Sequence, residues 1–341
     1  MNLIKDFNNN IKLINNRKII SIFIGGGTPS LFNPHSLHIL LQYIKNNSVI
    51  SKNAEVTIEI NPFKINTINI KKYKNLGINR ISLGIQSFNL YNLQNLSRTH
   101  DIIDIASNIN AIISVNYISY NFDILYGLPN QNYMNSIHDL KTAISFSPPH
   151  ISWYQLIPPT DSFLKDYNFY IPSEDILWKI YFCGKKILKL YGYHQYEISS
   201  YAKDRHISKH NLNYCCFGDY IGIGSGACSK ISFKNGKILR IQKTKNVDDY
   251  LSGNFIDKKY YLSKKDKIIE FFINRFRLYT PIPKEDFINY TGLSLSYIKK
   301  PINLSIKNGF LLETKLFWKT TYLGKLFYND LVMIFIENCY L

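Results

Sequence analysis

Cysteine is scarce in this chain and comes late. Its 341 residues hold five, Cys183, Cys215, Cys216, Cys228 and Cys339. None forms a C-x-x-C or C-x-x-x-C pair. An odd count with no secretion signal argues for reduced thiols and against a disulfide framework. Membrane-length apolar runs are missing as well. The terminal run Leu331-Val332-Met333-Ile334-Phe335-Ile336 stops at Glu337 and reads as a packing face. The first residues carry Asp6 and many Asn but no apolar h-region, unlike a signal peptide, so the cytoplasm is the expected location. Acidic residues are in short supply: 24 Asp and Glu face 41 Lys and Arg, for a net charge of +17. Such a balance invites a nucleic-acid reading. The lysines are scattered, however, among abundant Ile, Asn and Tyr, as an AT-rich coding sequence produces, so no nucleic-acid partner is expected. Peripheral contact with an anionic membrane surface stands on the same charge and no more.

What is present is concentrated around a glycine turn. The β-branched run Ile19–Ile24 leads into Gly25-Gly26-Gly27-Thr28-Pro29-Ser30, and a helical pattern follows from Pro34. Three adjacent glycines remove every Cβ, so backbone N–H and C=O groups meet a ligand directly. Alone, such a turn also serves plain strand-to-helix sterics. It has company downstream: Glu59-Ile60-Asn61-Pro62, then Gly77–Phe88 with Gly84-Ile85-Gln86-Ser87, then Asp123-Ile124-Leu125-Tyr126-Gly127-Leu128-Pro129.

The apolar periodicity predicts a helix over 1–16, then strands near 19–24, 56–60, 78–85, 118–126 and 150–157. Helices are predicted between them at 34–46, 66–75, 89–113 and 133–146, with another at 173–191 capped by Ser173. Such alternation implies an α/β fold with a parallel sheet and right-handed crossovers. Gly25–Thr28, Glu59, Gln86 and Asp123 all fall near the C-terminal ends of strands, where these sheets hold ligands. The expected organisation is a barrel-like domain over 1–192, a mixed α/β connecting segment over 193–260 and a helical domain over 261–341. The last is read as three helices near 263–279, 283–290 and 294–308, a hairpin near 310–319 and a final helix, a winged-helix-like pattern.

The ordered set of motifs resembles the radical S-adenosylmethionine (SAM) superfamily, in its oxygen-independent coproporphyrinogen oxidase-like branch and nearest to the heme chaperones of that branch. The likeness runs from Ile19 to about Phe335. It includes Ser152–Leu156, Tyr193–Glu197, His210-Asn211-Leu212-Asn213-Tyr214, Phe217–Gly224 and Glu270–Arg277. The resemblance implies a partial (β/α)6 barrel followed by a helical C-terminal domain. It also implies a heme chaperone that hands heme to acceptor proteins; the alternative within the branch is coproporphyrinogen III oxidation, in which a 5′-deoxyadenosyl radical abstracts hydrogen. By motif, Gly26, Gly27 and Thr28 would meet the aminoacyl end of SAM, and Glu59, Gln86, Arg98, Asp123 and Ile157 would complete the pocket. The residue types suit a ligand with an ammonium, a carboxylate, ribose hydroxyls and a sulfonium. Glu59 has the alternative of capping its own turn, and Arg98 that of a solvated helix-end cation. Asp123 lies in a strongly β-like run, where a lone carboxylate is seldom placed without a partner.

His210 and Tyr214 fall in the segment that the resemblance links to heme, through imidazole or phenolate ligation; a structural Asn-rich turn is the other reading. Relatives place Trp where this chain has Cys215, and a Cys and a His where it has Ser225 and Cys228. Cys215, Cys216 and Cys228 read as small buried hydrophobes, with thiolate donors in place of the missing groups as the alternative. The superfamily also holds a [4Fe–4S] cluster on a C-x-x-x-C-x-x-C loop ahead of the glycine turn, and this chain has no Cys before residue 183. The expectation is a barrel lacking its first strand, with no residue assigned to catalysis or to a metal. Either the start lies upstream of Met1 or the gene is truncated, and radical chemistry is not expected of the chain as it stands.

Overall fold

The computed structural model describes residues 1–63, 67–117, 119–157 and 170–339. The chain divides into two compact units. One comprises Ile20–Ile39 and Lys52–Ser208, and the other Met1–Ile19, Leu40–Ser51 and Lys209–Leu341.

The first unit is built on a seven-stranded sheet. In chain order its strands are β1 (Ile19–Ile24), β2 (Ile50–Ile60), β3 (Arg80–Gln86), β4 (Ser119–Tyr126), β5 (His150–Gln155), β6 (His194–Glu197) and β7 (Ser200–Ala202), and the spatial order is β1-β2-β3-β4-β5-β7-β6. Strands β2 to β5 run parallel, and β7 turns back antiparallel against β5 and β6. Helix α1 (Asn2–Ile11) precedes β1 and belongs to the other unit, as does the second half of α2 (Pro34–Asn46); α3 (Thr67–Asn75), α4 (Leu90–Asn95), α5 (Ile102–Ser114), α6 (Tyr133–Ser145) and α7 (Glu174–Leu190) are interleaved with the strands. This is the expected α/β half-barrel.

Registry sorts the strand residues onto two faces. Ile58, Ile81 and Tyr120 are neighbours across the sheet, as are Ile60, Leu83, Phe122 and Ile151. Ile124 sits beside Trp153 on the same side. Nearly all are fully buried, as are Ile70, Ile105, Ile109, Ile112, Leu140 and Ile144 from the helices. Removing this apolar face from water is the main drive to fold, at roughly 25 cal/mol per Å². Packing here is tight: a Cβ on Gly184 of α7 would come within 2.1 Å of the Trp153 ring. The other face carries Thr57, Arg80 and Ser119, then Glu59, Ser82, Asn121 and His150, then Asp123 and Ser152.

One predicted element is corrected. The helix expected over 89–113 is two helices, α4 and α5, with a loop between them. Asn89 caps α4 through the Asn92 N–H, Ser97 takes a left-handed φ of +53°, and Asp101 and Asp104 form a reciprocal capping box that restarts the chain as α5. Asp and Ser compete for backbone groups in this way, and their local bonds outweigh the apolar period. The break places Arg98 and His100 in a loop. Strand β2 also begins earlier than expected, at Ile50, and β5 ends at Gln155.

The second unit contains helix α8 (Lys209–Cys215) and an antiparallel sheet of β8 (Cys228–Ser232), β9 (Ile238–Lys243) and β10 (Ile256–Tyr261), in the order β10-β9-β8, with α9 (Val247–Ser252) before β10. Then come α10 (Lys264–Arg275), β11 (Ile282–Pro283), α11 (Lys284–Thr291), α12 (Lys299–Lys307), β12 (Leu311–Glu313), β13 (Phe317–Thr320), α13 (Tyr322–Leu326) and α14 (Tyr328–Asn338). Strands β11, β13 and β12 form a small sheet beside the helices. The core of this part is aromatic. Phe272 has its ring centroid 5.0 Å from that of Phe276, 5.7 Å from Phe287, 5.8 Å from Trp318 and 4.2 Å from Phe335. A buried ion pair, Lys243 with Asp6 at 2.5 Å, ties α1 to β9, and the Tyr250 hydroxyl donates to the same carboxylate at 2.8 Å. Among the described residues no helix is long and apolar enough to cross a membrane.

Candidate functional site

The glycine turn leaves β1 with Gly26 at φ +84° and Gly27 at φ +56°, a backbone region that side chains rarely adopt. At Gly25 the demand is for space. A Cβ there would lie 2.7 Å from the Phe23 ring and 2.9 Å from a Glu59 carboxylate oxygen. Glu59, at the end of β2, accepts the Gly26 N–H at 3.2 Å through Oε2. Beyond it, the Asn61 amide donates to Thr28 Oγ1 at 3.3 Å, and Arg98 Nη1 approaches Asn61 Oδ1 at 3.5 Å. Three segments far apart in sequence thus meet at one polar cradle.

Gln86 ends β3 in the left-handed region, at φ +68°, and is buried. Such a conformation costs on the order of 1–3 kcal/mol and persists only where its surroundings over-determine it. Those surroundings are visible. Tyr154 donates to Gln86 Oε1 at 3.3 Å, and Asp139 holds the next two residues, accepting from Ser87 Oγ at 2.6 Å and the Phe88 N–H at 2.8 Å. His100 approaches the Ile85 carbonyl at 3.4 Å, and burial holds its pKa below the ordinary histidine value.

Asp123 lies on β4. Its carboxylate accepts from Ser82 Oγ at 2.9 Å and from Asn121 Nδ2 at 2.8 Å. Burial raises its pKa, while the bonds from Asn121, Ser82 and Ser152 and the Arg80 charge pull it back. Burial also raises Glu59, opposed by the Gly26 N–H and reinforced by the charge of Asp123. The negative charge of Asp123 makes ionisation of Glu59 costlier, an effect that a cationic ligand would offset.

The expected residues therefore fall as follows. Gly26, Thr28, Glu59, Gln86, Arg98 and Asp123 sit on neighbouring strand ends and loops of one unit. Gly27 belongs to the same turn, and a Cβ there would meet nothing within 4 Å. Ile157 lies two residues beyond β5 and is 82% exposed. Asn61, Ser82, Asn121, His150, Ser152 and Tyr154 join the polar face without having been assigned a role from sequence. Their signal was a period of two: polar residues at 82 and 86 on either side of Gly84, at 121 and 123, and at 150, 152 and 154 alternate with apolar ones.

In the other unit, His210 and Tyr214 are four residues apart on α8 and so share one helix face. Tyr214 is 45% exposed, and its ring centroid lies 5.6 Å from that of Tyr220. Tyr220 accepts from Arg240 Nη1 at 2.7 Å, and Arg240 is paired with Glu270. Close backbone contact shapes this region: a Cβ on Gly218 would come within 2.2 Å of Asn213 Oδ1, and one on Gly222 within 2.2 Å of the Cys228 carbonyl. Cys215 is buried, as read from sequence, but Cys216 is only part-buried and Cys228 is exposed because it opens β8 at the end of the strand. The five cysteines are free, and among the described residues no three His, Cys, Asp or Glu side chains gather to hold a metal ion. The residues present do not fit an iron–sulfur cluster.

This geometry has known relatives. Residues 4–141 match the radical SAM superfamily. The coproporphyrinogen III oxidase HemN from Escherichia coli, a radical SAM enzyme, superposes with a TM-score of 0.81 over 98% of this chain and 81% of that one, at 20% identity. At that identity the likeness is one of fold. The fold is thus that of this radical SAM enzyme, and the match over residues 4–141 gives the class, the radical SAM superfamily. The narrower likeness is in sequence. The heme chaperone HemW of Buchnera aphidicola subsp. Acyrthosiphon pisum is 47% identical over 98% of this chain and 89% of its own length. The HemW proteins of Haemophilus influenzae and Escherichia coli are 44% and 38% identical, over 95% and 98% of this chain. The chain belongs to the HemW family.

Proposed function

We propose that this protein binds heme and transfers it to acceptor proteins. The observation that carries the reading is the identity of 38–47% over nearly the whole chain to relatives named as heme chaperones. The oxidase alternative has only a fold likeness behind it, at 20% identity. His210 is the proposed axial ligand, with Tyr214 one turn away as a second donor on the same helix face. Imidazole and phenolate are both established donors to heme iron. The test is a hemin titration of the full chain followed at the Soret band. His210→Ala is expected to weaken binding at least tenfold, with Tyr214→Phe weaker in effect. An unchanged titration in His210→Ala would remove His210 from the role.

We further propose that the glycine cradle holds SAM. Gly26, Gly27 and Thr28 offer backbone groups, Glu59 and Asp123 attract its ammonium and sulfonium charge or accept from its hydroxyls, Arg98 pairs with its carboxylate, and Gln86 and Ile157 line the remainder. Bound SAM would supply a polar, cationic ligand that relieves the repulsion between Glu59 and Asp123. Calorimetry with SAM on the full chain tests this, and Asp123→Ala should weaken any binding observed.

A further inference from the structure

The polar face of the sheet continues behind Asp123 as one connected array. Asn121 is its centre, 2% exposed. The Asn121 amide nitrogen donates to Ser82 Oγ and to Asp123 Oδ1, each at 2.8 Å. Its oxygen faces His150 Nδ1 at 2.6 Å and Ser152 Oγ at 3.0 Å. An amide oxygen only accepts, so His150 must carry its proton on Nδ1. Its other nitrogen, Nε2, is then a lone pair and takes the Tyr196 O–H at 2.9 Å. The opposite amide flip would set the Asn121 oxygen against the Asp123 carboxylate, two acceptors with no proton between them. Every proton in the array therefore has one consistent place, running from Tyr196 through His150 and Asn121 to Asp123.

His150 is fully buried, and burial holds its pKa well below the ordinary value, with Arg80 and His206 adding positive charge nearby. Neutral imidazole is the form the array requires. A wholly structural reading explains it poorly, because well-packed apolar residues of the same volume are as stable or more so. Every member but one is occupied inside the sheet. The exception is Asp123, which is only part-buried; Ser82 meets its Oδ2 and Asn121 its Oδ1, and its charge is felt at Glu59 in the cradle.

We infer that Tyr196, His150 and Asn121 are positioning residues that lock the Asp123 carboxylate in one orientation, Asn121 by donating to it and Tyr196 and His150 by holding Asn121. The identity of the ligand that Asp123 then meets rests on the SAM reading above; the array itself does not. The test uses the full chain labelled with 13C at the Asp carboxyl carbon, the Asp123 resonance being assigned by its loss in Asp123→Asn. His150→Leu is expected to move the Asp123 titration upward by about one pH unit and to weaken SAM binding about tenfold, since one pH unit and one decade of affinity are the same free energy. His150→Asn, which keeps an N–H aimed at Asn121, should restore most of both. If His150→Leu does not fold, Tyr196→Phe should move the titration the same way by less. An Asp123 titration unchanged in the variant that folds, or His150→Asn behaving as His150→Leu, would overturn the inference. Absence of SAM binding by the unsubstituted chain would overturn the SAM reading instead, and the carboxyl titration would still decide this one.

Discussion

Replacing Glu59 by Gln changes the charge of the cradle and little else. The two side chains have the same shape, and the Gln carbonyl still accepts the Gly26 N–H that Glu59 Oε2 takes at 3.2 Å. What disappears is a negative charge facing a cationic ligand. Unit charges 4 Å apart attract by about 4 kcal/mol at an effective dielectric of about 20. Glu59 is only part-buried, and exposed pairs retain about 1 kcal/mol or less. A value of about 2 kcal/mol between these limits predicts that Glu59→Gln weakens SAM about thirtyfold. The pH dependence gives an independent sign. Burial first, and then Asp123, raise the Glu59 pKa above its ordinary 4.5. A cation binds the ionised form, so it competes with the proton, and wild-type affinity should fall as pH drops into that raised range. Glu59→Gln should remove the Glu59 share of this fall and leave the share due to Asp123. Calorimetry across pH measures both. Affinity within twofold of wild type, together with an unchanged pH profile, would refute the reasoning.

Other expectations are structural. Gly184→Ala gains about 1 kcal/mol of helix propensity but drives a methyl to 2.1 Å from the Trp153 ring, an overpacking cost of about 1–3 kcal/mol or more, so a urea melt should show net loss of stability. Asp219 is pushed up by burial but held below its usual range by Lys230 at 2.9 Å and by two bonds from Ser232 at 2.8 Å. A depressed carboxylate stabilises the fold above its unfolded pKa and loses that effect as pH falls through the folded one. Asp219→Asn should therefore be destabilised at neutral pH, with the gap to wild type closing below about pH 4 in pH-dependent urea melts.

Much of this was legible because the signals are local. Ile19–Ile24 and Pro34–Asn46 occupy the ranges expected from their β-branched and periodic patterns. The glycine turn announced itself by composition, and Gln86 stood in a strand whose flanks carried glycine and serine. What sequence could not supply was registry. That Ser82 lies beside Asn121, and Asn121 beside His150, depends on which strands pair and by what offset. Each of these residues alone is an unremarkable polar residue in a strand. The break between α4 and α5 escaped for the opposite reason: the apolar period continues through it, and only the caps at Asn89 and Asp101 overrule it. Cys228 was read as buried from its type, yet strand ends expose whatever they begin with.

The most direct test of the central claim is a hemin titration of the purified full chain, read at the Soret band against hemin in buffer. A heme chaperone predicts a saturable, one-to-one end point with a shifted band. A rise that stays linear and overlays the buffer control would contradict it.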